Sequence, residues 1–134
     1  MDNMSESGEI AFERFSRTVG FEAIRIPEAG SAGERRPDFS VVGTDGSTFH
    51  AEVKLISPTS VEADYIRRFT EGEIFVMSGT PGERLRGLIA KANRQLKALA
   101  AQGLPGVLVV FNPEILLRWH TDPYCVLTAM RGLD

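Results

Sequence analysis

Cysteine occurs once in these 134 residues, at Cys125. That excludes an internal disulfide framework and a cysteine-based zinc site, and it fits a reducing compartment. Histidine occurs twice, at His50 and His120, too sparsely and too far apart for an HExxH zinc motif. No glycine loop of the GxxxxGKS/T kind is present to cradle phosphates. No apolar run approaches the ~20 residues that span a bilayer, so no membrane partner is expected. The opening, MDNMSESGE, is acidic and polar, the reverse of a secretory leader, and a cytoplasmic location is expected. Positive charge is not in excess either. A net charge of −3 argues against a protein that binds nucleic acid through bulk charge alone.

What is present suits one domain. Apolar residues make up 43% and charged residues 25%, the balance of an ordinary soluble globular chain with a real core. Residues 1–7 are expected to be disordered and residues 8–134 to form a single domain. The charge is unevenly spread. Residues 1–66 hold six Lys/Arg against twelve Asp/Glu, whereas residues 67–118 hold eight against four. An acidic half could gather cations and a basic half could meet phosphates; ordinary variation between solvated faces would look the same.

The most informative stretch is Pro37 to Ile56, PDFSVVGTDGSTFHAEVKLI. It reads as two strands joined at Asp45-Gly46, a dipeptide that favours a tight hairpin. In the second strand Phe49, Ala51, Val53 and Leu55 fall on one face, and Thr48, His50, Glu52 and Lys54 on the other. The first face can enter a core, and the second sets a carboxylate and an ammonium side by side. A bare E-x-K on a strand is commonly surface decoration; Asp38, placed by Pro37 at the mouth of the hairpin, adds a second carboxylate. Two carboxylates at one point can hold Mg²⁺, a hard ion with oxygen ligands. A lysine beside them can orient a water or offset charge on a phosphoryl group. The register must cooperate. A strict two-residue loop sets Asp38 opposite Val53, on the wrong face. A three-residue loop, Asp45-Gly46-Ser47, sets it opposite Lys54 on the polar face, so an odd loop or a bulge is expected.

Pro37-Asp38 followed by Glu52-Val53-Lys54 resembles the signature of the PD-(D/E)xK nuclease superfamily. The resemblance implies an α/β domain of the restriction-endonuclease-like fold: a mixed central sheet flanked by helices. It covers the chain from about Gly8 to Phe111. In the implied roles Asp38 and Glu52 hold the metal, Val53 lends its carbonyl, and Lys54 positions the attacking water. The helix before the hairpin often offers a glutamate in this family. Phe12-Glu13 with Gly20-Phe21 is similar to that pattern, so Glu13 is the expected third acid and Glu9 the alternative. Glu9, Glu13 and Arg17 are also spaced as a solvent-side ion-pair row.

The remaining elements are read from periodicity. Gly8–Val19 reads as a helix with Phe12, Phe15 and Val19 in its apolar stripe. Phe21–Ile26 alternates as a strand, and Glu28–Arg36 is a polar, glycine-rich loop. That loop places Arg35 and Arg36 at the lip of the site, in reach of a phosphate backbone. Val61–Phe69 reads as a short helix and Glu73–Met77 as a short strand. Glu83–Gln102 is a long helix whose stripe is Leu85, Leu88, Ile89, Ala92, Leu96 and Leu99. Arg84, Lys91, Gln95 and Gln102 line one flank of that stripe. Such residues ordinarily snorkel, but KANRQLK resembles the family's helix after the E-x-K strand. Arg84, Lys91 and Gln95 are therefore candidates for nucleic-acid contact. Val107–Phe111 is an apolar run suited to a strand buried on both faces, and strand–helix–strand order implies a parallel pair. A helical turn at 113–118 and a helix at 124–130 complete the chain.

The resemblance implies a Mg²⁺-dependent endonuclease, with Mn²⁺ able to substitute, hydrolysing phosphodiester bonds in nucleic acid, most readily DNA. The expected partners are nucleic acid and, for specificity, a homodimer or a fused or partner subunit. Three alternatives stand beside it: a nuclease toxin domain, acting on DNA or tRNA and neutralised by an immunity protein; a noncatalytic relative that only binds nucleic acid or protein; and a plain interaction domain in which the acidic hairpin face is merely solvated.

Overall fold

The structure, a computed structural model, describes residues 3–27, 37–74, 76 and 79–131. The chain divides into two compact units. One comprises Met1–Leu55 and Ile89–Phe111, the other Ile56–Leu88 and Asn112–Asp134.

The first unit is built on four strands in the order β1-β2-β3-β4. These are β1 (Glu22–Arg25), β2 (Phe39–Val42), β3 (Thr48–Leu55) and β4 (Gly106–Phe111). The first three are antiparallel neighbours and β4 runs parallel to β3. The class is therefore mixed α/β, with the parallel pair that strand–helix–strand order demands. Helix α1 spans Asn3–Val19, so the segment expected to be disordered is helical from Asn3 onward. Its buried positions are Gly8, Phe12 and Ser16. Phe15 and Val19, expected in the apolar stripe, are exposed. Gly8 explains the rotation. A Cβ there would sit 3.4 Å from Val53 Cγ1, so the missing side chain lets α1 approach the sheet along its i, i+4, i+8 row. Phe12 stacks obliquely on Phe39 at 5.0 Å, and Val41 and Ala51 close this core.

The hairpin β2–β3 carries the register. Gly43 N–H donates to the Ser47 carbonyl and Gly46 N–H to the Gly43 carbonyl. The loop is thus Thr44-Asp45-Gly46, with Gly46 at φ 84°, a conformation that glycine adopts without strain. The Asp45 carboxylate accepts from Ser47 N–H at 3.0 Å and Ser47 Oγ at 2.6 Å. The loop has three residues, as expected, but starts one residue earlier. Phe39 therefore pairs with Ala51, and one step further Asp38 lies level with Glu52 rather than Lys54. A shift of two positions preserves the face, because side chains alternate with period two.

Helix α3 (Glu83–Ala101) contributes its second half to this unit. It meets the sheet at Gly106, where a Cβ would lie 2.8 Å from Leu96 Cδ2 and 3.3 Å from Leu99 Cδ1. Gly106 is the register partner of His50, so this half of α3 lies on the His50–Glu52–Lys54 face. Helix α1 lies on the other.

The second unit contains α2 (Ser60–Thr70), the first residues of α3, a 3₁₀ helix at Ile115–Thr121 and α4 (Pro123–Arg131). Of the strand expected at 73–77, Glu73, Ile74 and Val76 belong to no strand; Phe75 and Met77 lie outside the described residues.

Candidate functional site

On the polar face of β3, the face on which α3 meets the sheet at Gly106, Glu52 is 7% exposed. Its Oε1 lies 3.2 Å from Lys54 Nζ. Its Oε2 is buried with no hydrogen-bond partner among the described residues. Burial pushes the Glu52 carboxyl above the ordinary carboxylate range, and the neighbouring Asp38 carboxylate pushes it further; Lys54 pulls it back without cancelling either. A buried carboxylate ordinarily finds partners for both oxygens, because an unsatisfied one costs desolvation energy that nothing returns.

Asp38 is held from below. Its Oδ2 accepts from the Val53 backbone N–H at 2.7 Å, its own N–H donates to the Ala51 carbonyl and its carbonyl accepts from Ile26 N–H. The aspartate is thus fixed across the end of the hairpin between β1 and β3. Sequence reasoning placed Asp38 near Glu52 but missed the Val53 N–H that aims it, since backbone donors carry no sequence signature. Val53 itself turns its side chain into the core beside Gly8.

Both glutamates of α1 are drawn to Arg25 on β1. Arg25 Nη1 lies 3.1 Å from Glu9 Oε2, and Arg25 is bonded to Glu13 through Nε and Nη2. Glu13, the expected third acid, is the more completely engaged of the two. Glu9 is raised above the ordinary range by burial first and by Asp38 next, with Arg25 opposing. Glu9, the alternative, therefore feels the Asp38 carboxylate as a like charge. Among the described residues no group of three or more His, Cys, Asp or Glu is arranged to hold a metal. What is arranged is a two-carboxylate pair, Asp38 and Glu52, with an adjoining ammonium.

Three further polar atoms of this unit are buried and unpartnered among the described residues, Ser16 Oγ on α1, His50 Nδ1 and Gln95 Nε2. His50 shares the face of Glu52, and Gln95 belongs to the half of α3 laid over that face. Gln95 also lines a groove of about 670 Å³ with Pro37, Lys91, Arg94 and Gln102. Lys91 and Gln95, expected at the site from sequence, are thus brought to a groove that reaches Pro37, the residue before Asp38. Arg94 was not singled out from sequence. Its position among alternating basic and small residues was the available signal.

Arg84 does not join them. It lies in the second unit, its Nη1 2.6 Å from Glu62 Oε1 and its Nη2 bonded to the Ser57 carbonyl. The same Glu62 receives Thr59 N–H in a capping box at the start of α2, and its Oε2 is 2.9 Å from His120 Nε2. Burial pushes the Glu62 carboxyl up, but Arg84, Thr59 and His120 together outweigh it and hold the group at about 2. Arg84 is a structural cation, held by a carboxylate that capping-box spacing could have identified. Arg35 and Arg36 lie outside the described residues.

In comparisons with protein-family models, curated proteins and solved structures, nothing matches the chain.

Proposed function

We propose that the first unit is a Mg²⁺-dependent phosphodiesterase acting on nucleic acid, with DNA as its substrate, and that its fold is restriction-endonuclease-like. The observation that carries this reading is the unpaired, buried Oε2 of Glu52 beside Asp38 and Lys54. The order helix, antiparallel hairpin with E-x-K, helix, parallel strand supports the resemblance to PD-(D/E)xK nucleases.

The residues fit the ion. Mg²⁺ is commonly bound through one or two carboxylates, with waters and substrate phosphate oxygens completing the shell. Asp38 and Glu52 would hold it, with Glu9, whose carboxyl feels the Asp38 charge, as a further acid. When bound, the ion polarises a phosphoryl oxygen and lowers the pKa of a coordinated water. The chain's own residues do the rest. The Val53 N–H keeps Asp38 aimed, and burial of Glu52 makes its bare oxygen a strong acceptor for a cation. Lys54, fixed by Glu52, orients the attacking water and offsets charge building on the phosphoryl oxygens.

The test is a cleavage panel of duplex, branched and single-stranded DNA and tRNA, with Mg²⁺, Mn²⁺ or EDTA. Cleavage that needs metal and disappears in Asp38→Ala is expected. Metal binding without turnover on any substrate would replace the enzyme reading with that of a noncatalytic binding domain.

A further inference from the structure

The groove beside Pro37 has a chemistry of its own. Its polar wall consists of Lys91, Arg94, Gln95 and Gln102, on one side of α3, and no aromatic residue lines it among the described residues. From Arg84 to Pro113 the chain contains no Asp or Glu, although the protein as a whole is acidic. Arg25, Arg67, Arg68 and Arg84 are each ion-paired with carboxylates; Lys91 and Arg94, like Arg14 and Lys97, are exposed and have no ion pair among the described residues, but these two line a groove together. Two uncompensated cations three residues apart are neighbours on the helix surface, with Cβ atoms about 5–6 Å apart, close enough to meet adjacent phosphates of one strand. Gln95 Nε2 supplies a buried donor with no hydrogen-bond partner among the described residues.

We infer that this groove is a sequence-blind seat for the phosphodiester backbone of a duplex, feeding the strand to the acid pair at Asp38. The inference rests on the phosphodiesterase reading and narrows its substrate class. Single strands are held chiefly by bases stacked on aromatic side chains, which this groove lacks. Base readout requires side chains in a groove of the nucleic acid, whereas cations and amides on a concave wall position phosphates. Pro37 links the two places, because it lines the groove and its neighbour is Asp38.

The test is equilibrium binding in EDTA, so that no strand is cut, using two duplex DNAs of unrelated sequence and their separated strands, over a range of salt. Each phosphate contact contributes about 0.9 to the slope of log K against log salt. Lys91→Ala and Arg94→Ala should each lower the slope by about 1, and the double variant by about 2, by the same amount for both duplexes. Arg14→Ala, an exposed cation on α1, should leave the slope unchanged. The inference is overturned if the slopes of the α3 variants match wild type, or if Arg14→Ala lowers the slope equally. Selective loss on one sequence, or tighter binding of single strands, overturns it as well. Both variants alter exposed side chains, and unchanged circular dichroism verifies the fold. Failure of the nuclease reading looks different: wild-type protein binds duplex with the full slope yet cuts nothing when Mg²⁺ is restored.

Discussion

Each unit of this protein buries a glutamate, and the two could hardly be treated more differently. Glu62 in the second unit is 9% exposed and Glu52 in the first is 7% exposed. Both are pushed toward the neutral form by loss of water. Around Glu62 the protein supplies Arg84, the Thr59 N–H and His120, and the carboxyl titrates at about 2. Around Glu52 it supplies one lysine, gives Oε2 no partner among the described residues and adds the like charge of Asp38. A carboxylate satisfied on both oxygens holds a fold together. One held buried with an oxygen unspent carries stored cost, and such sites in proteins are where ligands bind.

The largest expected effect lies in catalysis. Glu52→Gln keeps shape and removes charge, and should lower Mg²⁺-dependent cleavage by at least about 10²-fold, as should Lys54→Ala. Thermal melting of metal-free Glu52→Gln should show stability equal to or above wild type, because no unpaired charge remains buried. A marked loss of stability would make Glu52 structural and erase the contrast.

Glu62→Ala should do the reverse. Removing one partner of a buried ion pair costs about 3–5 kcal/mol. The lower end is expected, since Arg84 retains some access to water, and a fall in Tm of roughly 10 °C should follow.

Acid titration sharpens the comparison further. The Glu62 carboxyl is depressed in the folded protein, so its contribution is complete above the unfolded value of about 4.5 and is lost as pH falls toward about 2. The Glu52 carboxyl is raised, so the folded state binds more protons than the unfolded, and metal-free stability falls as pH rises through and above 4.5. Urea titrations against pH should show wild type minus Glu62→Ala and wild type minus Glu52→Gln differing in opposite directions across these windows.

The smallest effect concerns Arg25. Its pairs with Glu9 and Glu13 are half exposed, so Arg25→Ala should cost less than about 1 kcal/mol. Removing a cation near Asp38 should also tighten Mg²⁺ binding by a few-fold, measurable by calorimetry. Weaker binding would mean that Arg25 shapes the site rather than competes for it.

Much of the first unit was legible because strands announce themselves by alternation. Glu52 and Lys54 share a face by period alone, and an odd hairpin loop was needed for Asp38 to join them. Only the parity of that loop mattered for the face, so starting at Thr44 instead of Asp45 did no harm to it. α1 was misread in detail because an apolar stripe of Phe12, Phe15 and Val19 competes with the close approach that Gly8 permits, and packing chose the latter. That rotation brought Glu9 and Glu13 to Arg25. The Arg84–Glu62 pair was not legible because flank position on a helix says nothing about a carboxylate twenty-two residues earlier.

The amino-acid order by itself determined the mixed α/β class, the hairpin, the polar face of β3 and the long helix that follows it, since each depends on periods of two or 3.6 residues. Tertiary structure alone decided which carboxylate is sated and which is left bare. Hydrogen-bond satisfaction and desolvation belong to neighbours brought in from afar, such as His120 on Glu62 across fifty-eight residues, and no local pattern encodes them.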